Sequence, residues 1–177
     1  AVIDGGPCQI GLESTVVGIE GDEIVIYRPG GTTKEALSAI APTTVDSALA
    51  KEGAHPKAPG MKYRHYAPSA PLTVYTGEAG KVAEEIFSFA EKTDKKYGFF
   101  VSEETARLLP KGLPVFVWGH REDKESFAHN LFSGLLYFNR HPVDAIIGEG
   151  TDTAGLGLAI MNRLTKASGY HIVVEKR

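Results

Sequence analysis

After Pro71 the chain repeats one unit, a short and almost wholly apolar run followed by a helical pattern. The runs fall at residues 72–76, 97–101, 115–118 and 143–147. Runs this short, without polar alternation, fit strands buried on both faces, as in a parallel sheet. Between them the spacing predicts a helix over 81–92 with Val82, Ile86, Phe89 and Ala90 on one face. Ser102 caps a helix over 103–109, with Thr105 as the third residue after the cap. Asp123 or Ser126 opens a longer helix that runs to about Asn139 and carries Phe127, Leu131, Leu135 and Phe138. A further helix covers 156–167 and ends at Gly169, and residues 171–175 read as a closing strand. Parallel strands joined through helices take right-handed crossovers, which cover both faces of the sheet. The expected fold class is therefore α/β, a small three-layer Rossmann-like domain with a mainly parallel sheet over residues 71–177.

Residues 1–42 are unlike this repeat. Two β-branched runs, 12–18 and 23–28, flank Glu20, Gly21 and Asp22, which suit a hairpin turn. Arg28 leads into Pro29, Gly30 and Gly31, which end the second strand. Thr32 or Thr33 then caps a short helix over 34–40, with Glu35 in the first turn where the helix dipole favours an anion, and Pro42 stops it. Residues 43–54 are small and polar and predict no firm element. A β-rich piece of this length is too short to bury a core alone. Ala1, Val2 and Ile3 run into Asp4, Gly5, Gly6 and Pro7 like a strand entering a turn, so the chain is expected to begin inside a longer unit.

The two regions are joined by 55–68, HPKAPGMKYRHYAP. No acidic residue lies between Glu52 and Glu78, whereas Lys57, Lys62 and Arg64 do, in a chain of net charge −3. Pro56, Pro59, Pro68 and Gly60 argue against a helix. An extended strap results, with Lys62, Arg64 and Tyr66 to one side and Tyr63 and His65 to the other. Cations beside aromatic rings suit an anionic ligand with a flat part, such as a nucleotide; a solvated linker has the same composition. The other 177-residue averages are those of an ordinary folded chain, with 42% hydrophobic residues and 23% charged. Cys8, the single cysteine, permits no intrachain disulfide. No apolar run reaches the roughly 18 residues of a membrane helix, and a cytoplasmic protein without membrane or direct DNA binding is expected.

Few residues are placed to carry chemistry. Ser14 and Thr15 stand where a strand begins, one hydroxyl free to face a cleft and the other the core, although both residues are common in half-buried strands. Arg28 before a glycine-rich turn can grip phosphate oxygens, with backbone N–H groups adding to the site, or merely cap a strand end. The loop containing Gly148, Glu149, Gly150, Gly155 and Gly157 lies at a carboxyl edge where ligands sit in doubly wound folds. Its glycines do not fit GxGxxG, and Glu149 and Asp152 oppose phosphate, so tight turns explain it as well. Asn162 and Arg163 face either a partner region or solvent. The histidines make no metal-ligand spacing, and no GxSxG elbow supports a serine hydrolase.

Taken together, DGGPCQIGLESTVVG, IYRPGGTT, APGMKYRHYAP and GLGLAIMNRLTKAS resemble the YrdC-like threonylcarbamoyl-AMP synthases, in the long form with an extra C-terminal α/β domain. The resemblance implies that residues 1–42 are the last part of a YrdC-like twisted-sheet catalytic domain, 43–70 a linker or lid, and 71–177 the extra domain. It implies an ATP-dependent nucleotidyltransferase that joins L-threonine, bicarbonate and ATP, with Mg²⁺ accompanying ATP, and serves a downstream tRNA-modifying complex. By the same resemblance Ser14 contacts L-threonine, Arg28 and Tyr66 contact ATP, and Lys62, Arg64 and His65 help close the site. The family's earlier catalytic residues are absent, so this stretch alone is expected to be inactive. A non-catalytic ligand-binding or regulatory α/β module is the alternative, and a net charge of −3 opposes a general RNA binder.

Overall fold

The computed structural model describes residues 1–6, 8–50, 57–58, 67–90 and 94–174. Two sheets organise them. In the first, β1 (Val16–Glu20) and β2 (Glu23–Arg28) form the expected antiparallel hairpin around Gly21, whose φ of 63° suits glycine. β1 begins later than predicted, at Val16, so Ser14 and Thr15 precede the strand, and the register slips between Val16 and Val17. Thr33 is the cap of α1 (Lys34–Ser38), its hydroxyl accepting from the N–H of Ala36. β3 (Thr43–Val45), which the polar sequence does not predict, pairs parallel to β2 and extends this sheet past Pro42. A 3-10 turn over Ser47–Ala50 follows.

The second sheet contains β4 (Leu72–Thr76), β5 (Tyr97–Val101), β6 (Val115–Val117), β7 (Ala145–Glu149) and β8 (Ile172–Val174). All five strands are parallel, in the order β6-β5-β7-β4-β8. The connecting helices are α2 (Ala79–Ala90), α3 (Glu103–Leu108), α4 (Lys124–Arg140) and α5 (Gly157–Ala167). Steps from β4 to β5 to β6 move one way along the sheet, and steps to β7 and β8 move back. Right-handed crossovers then put α2 and α3 on one face and α4 and α5 on the other. The cores agree with this division. Leu72, Val74, Phe100 and Ile146 pack under Phe127, Leu131, Leu135 and Phe138 of α4 and Ile160 and Leu164 of α5. Tyr75, Phe99, Val101 and Ile147 point the other way, against Val82 and Ile86 of α2 and Leu109. The expected three-layer α/β domain is the observed one.

Local signals explain the helix starts. Ser102 caps α3 and Asp123 caps α4, each side chain accepting from the N–H three residues on. α2 begins two residues before the predicted Lys81; the side chains of Phe89 and Ala90, and residues 91–92, lie outside the described set. Trp118 stacks on Phe127, ring centroids 3.8 Å apart and planes 7° apart, and both are fully buried.

Gly134 lies in α4 where the helix crosses β5 and β6, and a Cβ there would overlap the rings of Phe100 and Phe116. Alanine is worth about 1 kcal/mol over glycine in a free helix, but overpacking a dense core costs about 1–3 kcal/mol. Gly134→Ala is therefore expected to lower the thermal unfolding midpoint; a raised midpoint shows that the rings yield without cost.

Candidate functional site

The segment Glu13, Ser14 and Thr15 is laced to the turn after β2. Arg28 donates from Nε to the Ser14 carbonyl at 3.0 Å and from Nη2 to the Ser14 hydroxyl at 3.1 Å. Thr15 Oγ1 donates to the Thr32 carbonyl at 2.6 Å and accepts from the Thr32 N–H at 3.1 Å. The N–H of Gly31 donates to the Glu13 carbonyl at 3.3 Å. Gly30 is required by this closeness, since a Cβ would collide with the Glu13 and Ser14 backbone. Ser14 and Arg28, expected to serve separate ligand parts, are in mutual contact. Of the turn amides expected to face phosphate, those of Gly31 and Thr32 are engaged by residues 13–15.

The same segment docks on the α/β domain. Gly11, with φ 73°, passes so close to α4 that a Cβ would lie 2.6 Å from the Cα of His129. Leu12 packs on the core beneath α4 and α5. Glu13 Oε2 accepts from Arg163 Nε of α5 at 3.0 Å, and the Arg163 side chain is 4% exposed. Arg163 thus faces a partner region rather than solvent. Glu35 of α1 accepts from the N–H of Gly155 at 3.2 Å. Its own backbone N–H and that of Gly155 hold the Glu35 carboxyl below its usual range. A depressed carboxylate favours the docked arrangement above that range, and the contact weakens as pH falls through it.

A second feature occupies the carboxyl edge of the parallel sheet. Adjacent β4 and β7 send their helices to opposite faces, which opens a crevice between their ends. A cleft of about 370 Å³ lies there, lined by Thr76, Gly77, Arg121, Lys124, Gly150 and Asp152 among others. Behind the lining residues Arg121 and Gly150, Glu149 is fully buried. Its Oε2 accepts from the N–H and hydroxyl of Ser102, both at 2.8 Å. Its Oε1 faces Arg121 Nε at 3.2 Å, near enough for ion pairing but not aligned as a hydrogen bond. Arg121 Nη2 also donates to the Gly77 carbonyl. Lys124 Nζ binds Asp152 Oδ1 at 2.6 Å, which lowers the Asp152 pKa. The four loops that end β4, β5, β6 and β7 are joined by one buried carboxylate. Glu149, which in the sequence only opposes phosphate, is matched by Ser102 and Arg121, partners that no local pattern announces.

Of the strap, Lys62, Arg64, His65 and Tyr66 lie outside the described residues. Lys57 lies inside them. It pairs with Glu20 at 2.9 Å and sits 4.8 Å from the centre of the Tyr27 ring, so it is bound to the hairpin. Among the described residues no group of three or more His, Cys, Asp or Glu side chains is placed to hold a metal. No helix among them is long and apolar enough to cross a membrane.

Fold and site together define an all-parallel, doubly wound α/β domain docked to a small β-rich piece that carries a Ser–Arg turn. A family described as "Threonylcarbamoyl-AMP synthase, C-terminal domain" matches residues 32–169, and the chain belongs to that family. It is similar to the Bacillus subtilis threonylcarbamoyl-AMP synthase, with 40% identity over 97% of this chain and 49% of the relative. The Pyrococcus abyssi threonylcarbamoyl-AMP synthase is 41% identical over 97% of this chain and 50% of its own length. A crystal structure of Pyrococcus abyssi Sua5 complexed with L-threonine superposes with a TM-score of 0.81 at 40% identity, covering 98% of this chain and 50% of that one. The chain thus spans about half the length of these relatives.

The Glu149 hub has a testable energetic sign. Removing one partner of a buried ion pair costs about 3–5 kcal/mol because the other charge stays behind. Arg121→Met is expected to fall near the lower end, since Ser102 still serves the carboxylate. Arg121→Met/Glu149→Gln is expected to recover most of the loss, because glutamine can still accept from the Ser102 N–H. Chemical denaturation of the two variants checks this; equal losses would show that the charge is not the cause.

Proposed function

We propose that this chain is the carboxyl half of a threonylcarbamoyl-AMP synthase. The whole enzyme uses L-threonine, bicarbonate and ATP to make threonylcarbamoyladenylate and pyrophosphate in the cytoplasm, for a downstream tRNA-modifying complex. The observation that carries the reading is the Ser14–Arg28 pair, in a chain whose fold matches a threonine-bound relative across 98% of its length. Residues 1–42 are read as the last part of the catalytic domain, 43–70 as a linker and lid, and 71–177 as the accessory α/β domain. The alternating residues Val17 and Ile19 of β1 are 40% and 71% exposed, which suits a sheet that more chain would cover.

In this reading the Ser14 hydroxyl receives L-threonine and Arg28 receives ATP phosphates, one donor of its guanidinium turning from Ser14 to the ligand. The threonine amine combines with bicarbonate to a carbamate with loss of water, a carbamate oxygen bonds to the α-phosphorus of ATP, and the bond to the leaving pyrophosphate breaks. Holding the nucleophile in line and neutralising the leaving group are most of such catalysis. The strap residues Lys62, Arg64, His65 and Tyr66 are proposed to close over the nucleotide. Mg²⁺ keeps several waters and binds through substrate phosphates in such sites, so it is expected to arrive with ATP rather than on a protein cage. The cleft at the ends of β4 and β7 favours a second reading, in which residues 71–177 bind a small ligand without chemistry.

The 177 residues alone are expected to release no pyrophosphate with L-threonine, bicarbonate and ATP, whereas the full-length protein does. In the full-length protein Ser14→Ala is expected to raise KM for L-threonine by about tenfold, the effect of losing roughly one hydrogen bond. Turnover by the isolated chain would overturn the assignment of these residues as a part. Calorimetric titration of the isolated chain with ATP and L-threonine tests the second reading, which fails if only the full-length protein binds.

A further inference from the structure

Each of the three residues around Ser14 is fixed by a different partner. Thr15 is held by Thr32, from the turn after β2, and Ser14 by Arg28, the last residue of β2. Glu13 is held twice, its carbonyl by the N–H of Gly31 and its carboxylate by Arg163. Arg163 is the contribution of the α/β domain, standing on α5 among core residues Ile160, Leu164 and Ala167. A guanidinium at 4% exposure cannot relocate cheaply, so it acts as a fixed post. Its partner is less enclosed, with the Glu13 side chain at 27% exposure. Glu13 is therefore the member of the pair whose position is being set.

The backbone transmits that setting to the next residue. Ser14 follows Glu13 directly, and a 1 Å displacement of a positioned group can cost a hundredfold in rate. Arg28 is anchored from another direction, because it ends β2, whose residues Ile24, Val25 and Ile26 are paired to β3, while Arg28 itself lies opposite Val16 of β1. Loss of the Arg163 contact would let residues 11–13 shift on α4 and α5 while β2 stays in place. The contact to L-threonine would suffer before the contact to ATP.

We propose that Arg163, through its ion pair with Glu13, is a positioning residue that sets Ser14 for L-threonine, so that the α/β domain takes part in amino-acid recognition. The inference rests on the reading of Ser14 as the threonine contact. It gives the accessory domain a role in the reaction that needs no ligand of its own.

The test compares Arg163→Ala, Arg163→Lys, Glu13→Gln and Ser14→Ala in the full-length protein, with KM for L-threonine and for ATP measured separately by pyrophosphate release. Arg163→Ala and Glu13→Gln are expected to raise the threonine KM about tenfold, within the range of indirect coupling effects, and to leave the ATP KM within about twofold. Arg163→Lys, which keeps the charge, is expected to recover part of the loss. Glu13 is partly exposed, so Glu13→Gln keeps the test open if Arg163→Ala does not fold. An unchanged threonine KM, or equal weakening toward both substrates, in Glu13→Gln overturns the positioning role when Ser14→Ala does raise the threonine KM. If Ser14→Ala leaves the threonine KM unchanged, the assignment of Ser14 itself fails and the proposal falls with it.

Discussion

The inner strands of the parallel sheet carry apolar side chains on both faces, and every other feature of the domain follows from the need to cover them. Val74, Phe100 and Ile146 alternate with Tyr75, Phe99 and Ile147, so each of β4, β5 and β7 requires helices above and below. Right-handed crossovers meet this need by running one way along the sheet and then back. Aromatic rings fill the space between layers, which leaves no room for a Cβ at Gly98 or Gly134. Parallel strands also end together. Their carboxyl loops converge on one edge, and the return of the chain opens a crevice there between β4 and β7.

Convergence of loops brings charged groups into a region from which water is largely excluded. Glu149, at the end of an apolar strand, is tolerable only because Ser102 and Arg121 reach it from neighbouring loops. Such a cluster adds little net stability beyond that of an apolar substitute, since desolvation offsets attraction. Its effect is on geometry, because the Ser102 N–H and hydroxyl both bond Oε2 while Arg121 ties the carboxylate to the Gly77 carbonyl of the next loop. The crevice lining is therefore held in one arrangement.

The main elements of the α/β domain are legible in the sequence because burial on both faces writes short apolar runs that nothing else explains. β4 and β5 match their runs at both ends, and the hydroxyl and carboxylate caps mark the starts of α3 and α4. β3 is illegible because its partner is a single strand and its residues, two threonines and a valine, carry no burial pattern. Ser14 and Arg28 stand out as residues that can carry chemistry, but their mutual contact joins positions 14 residues apart and leaves no local pattern in the sequence. Glu149 and Arg163 are read ambiguously for one reason. An ionisable residue on an apolar element is either solvated or paired, and only the arrangement of distant segments decides which. The partners of Arg163 and Glu149 are 150 and 47 residues away in the chain.

The seam between the β-rich piece and the α/β domain combines contacts of unlike kinds. Leu12 enters the apolar layer under α4 and α5, a contact that favours closeness but sets no direction. Gly11 lets the backbone come within van der Waals distance of α4, which fixes the depth of approach. Neither of these prevents the segment from sliding along the helices. The Glu13–Arg163 pair does, because its 3.0 Å contact exists at one register only. A slide of one residue would place Leu12 or Ser14 opposite the guanidinium and leave a buried charge without its carboxylate. The cost of that error fixes the register of the whole segment, and Ser14 takes its place from it.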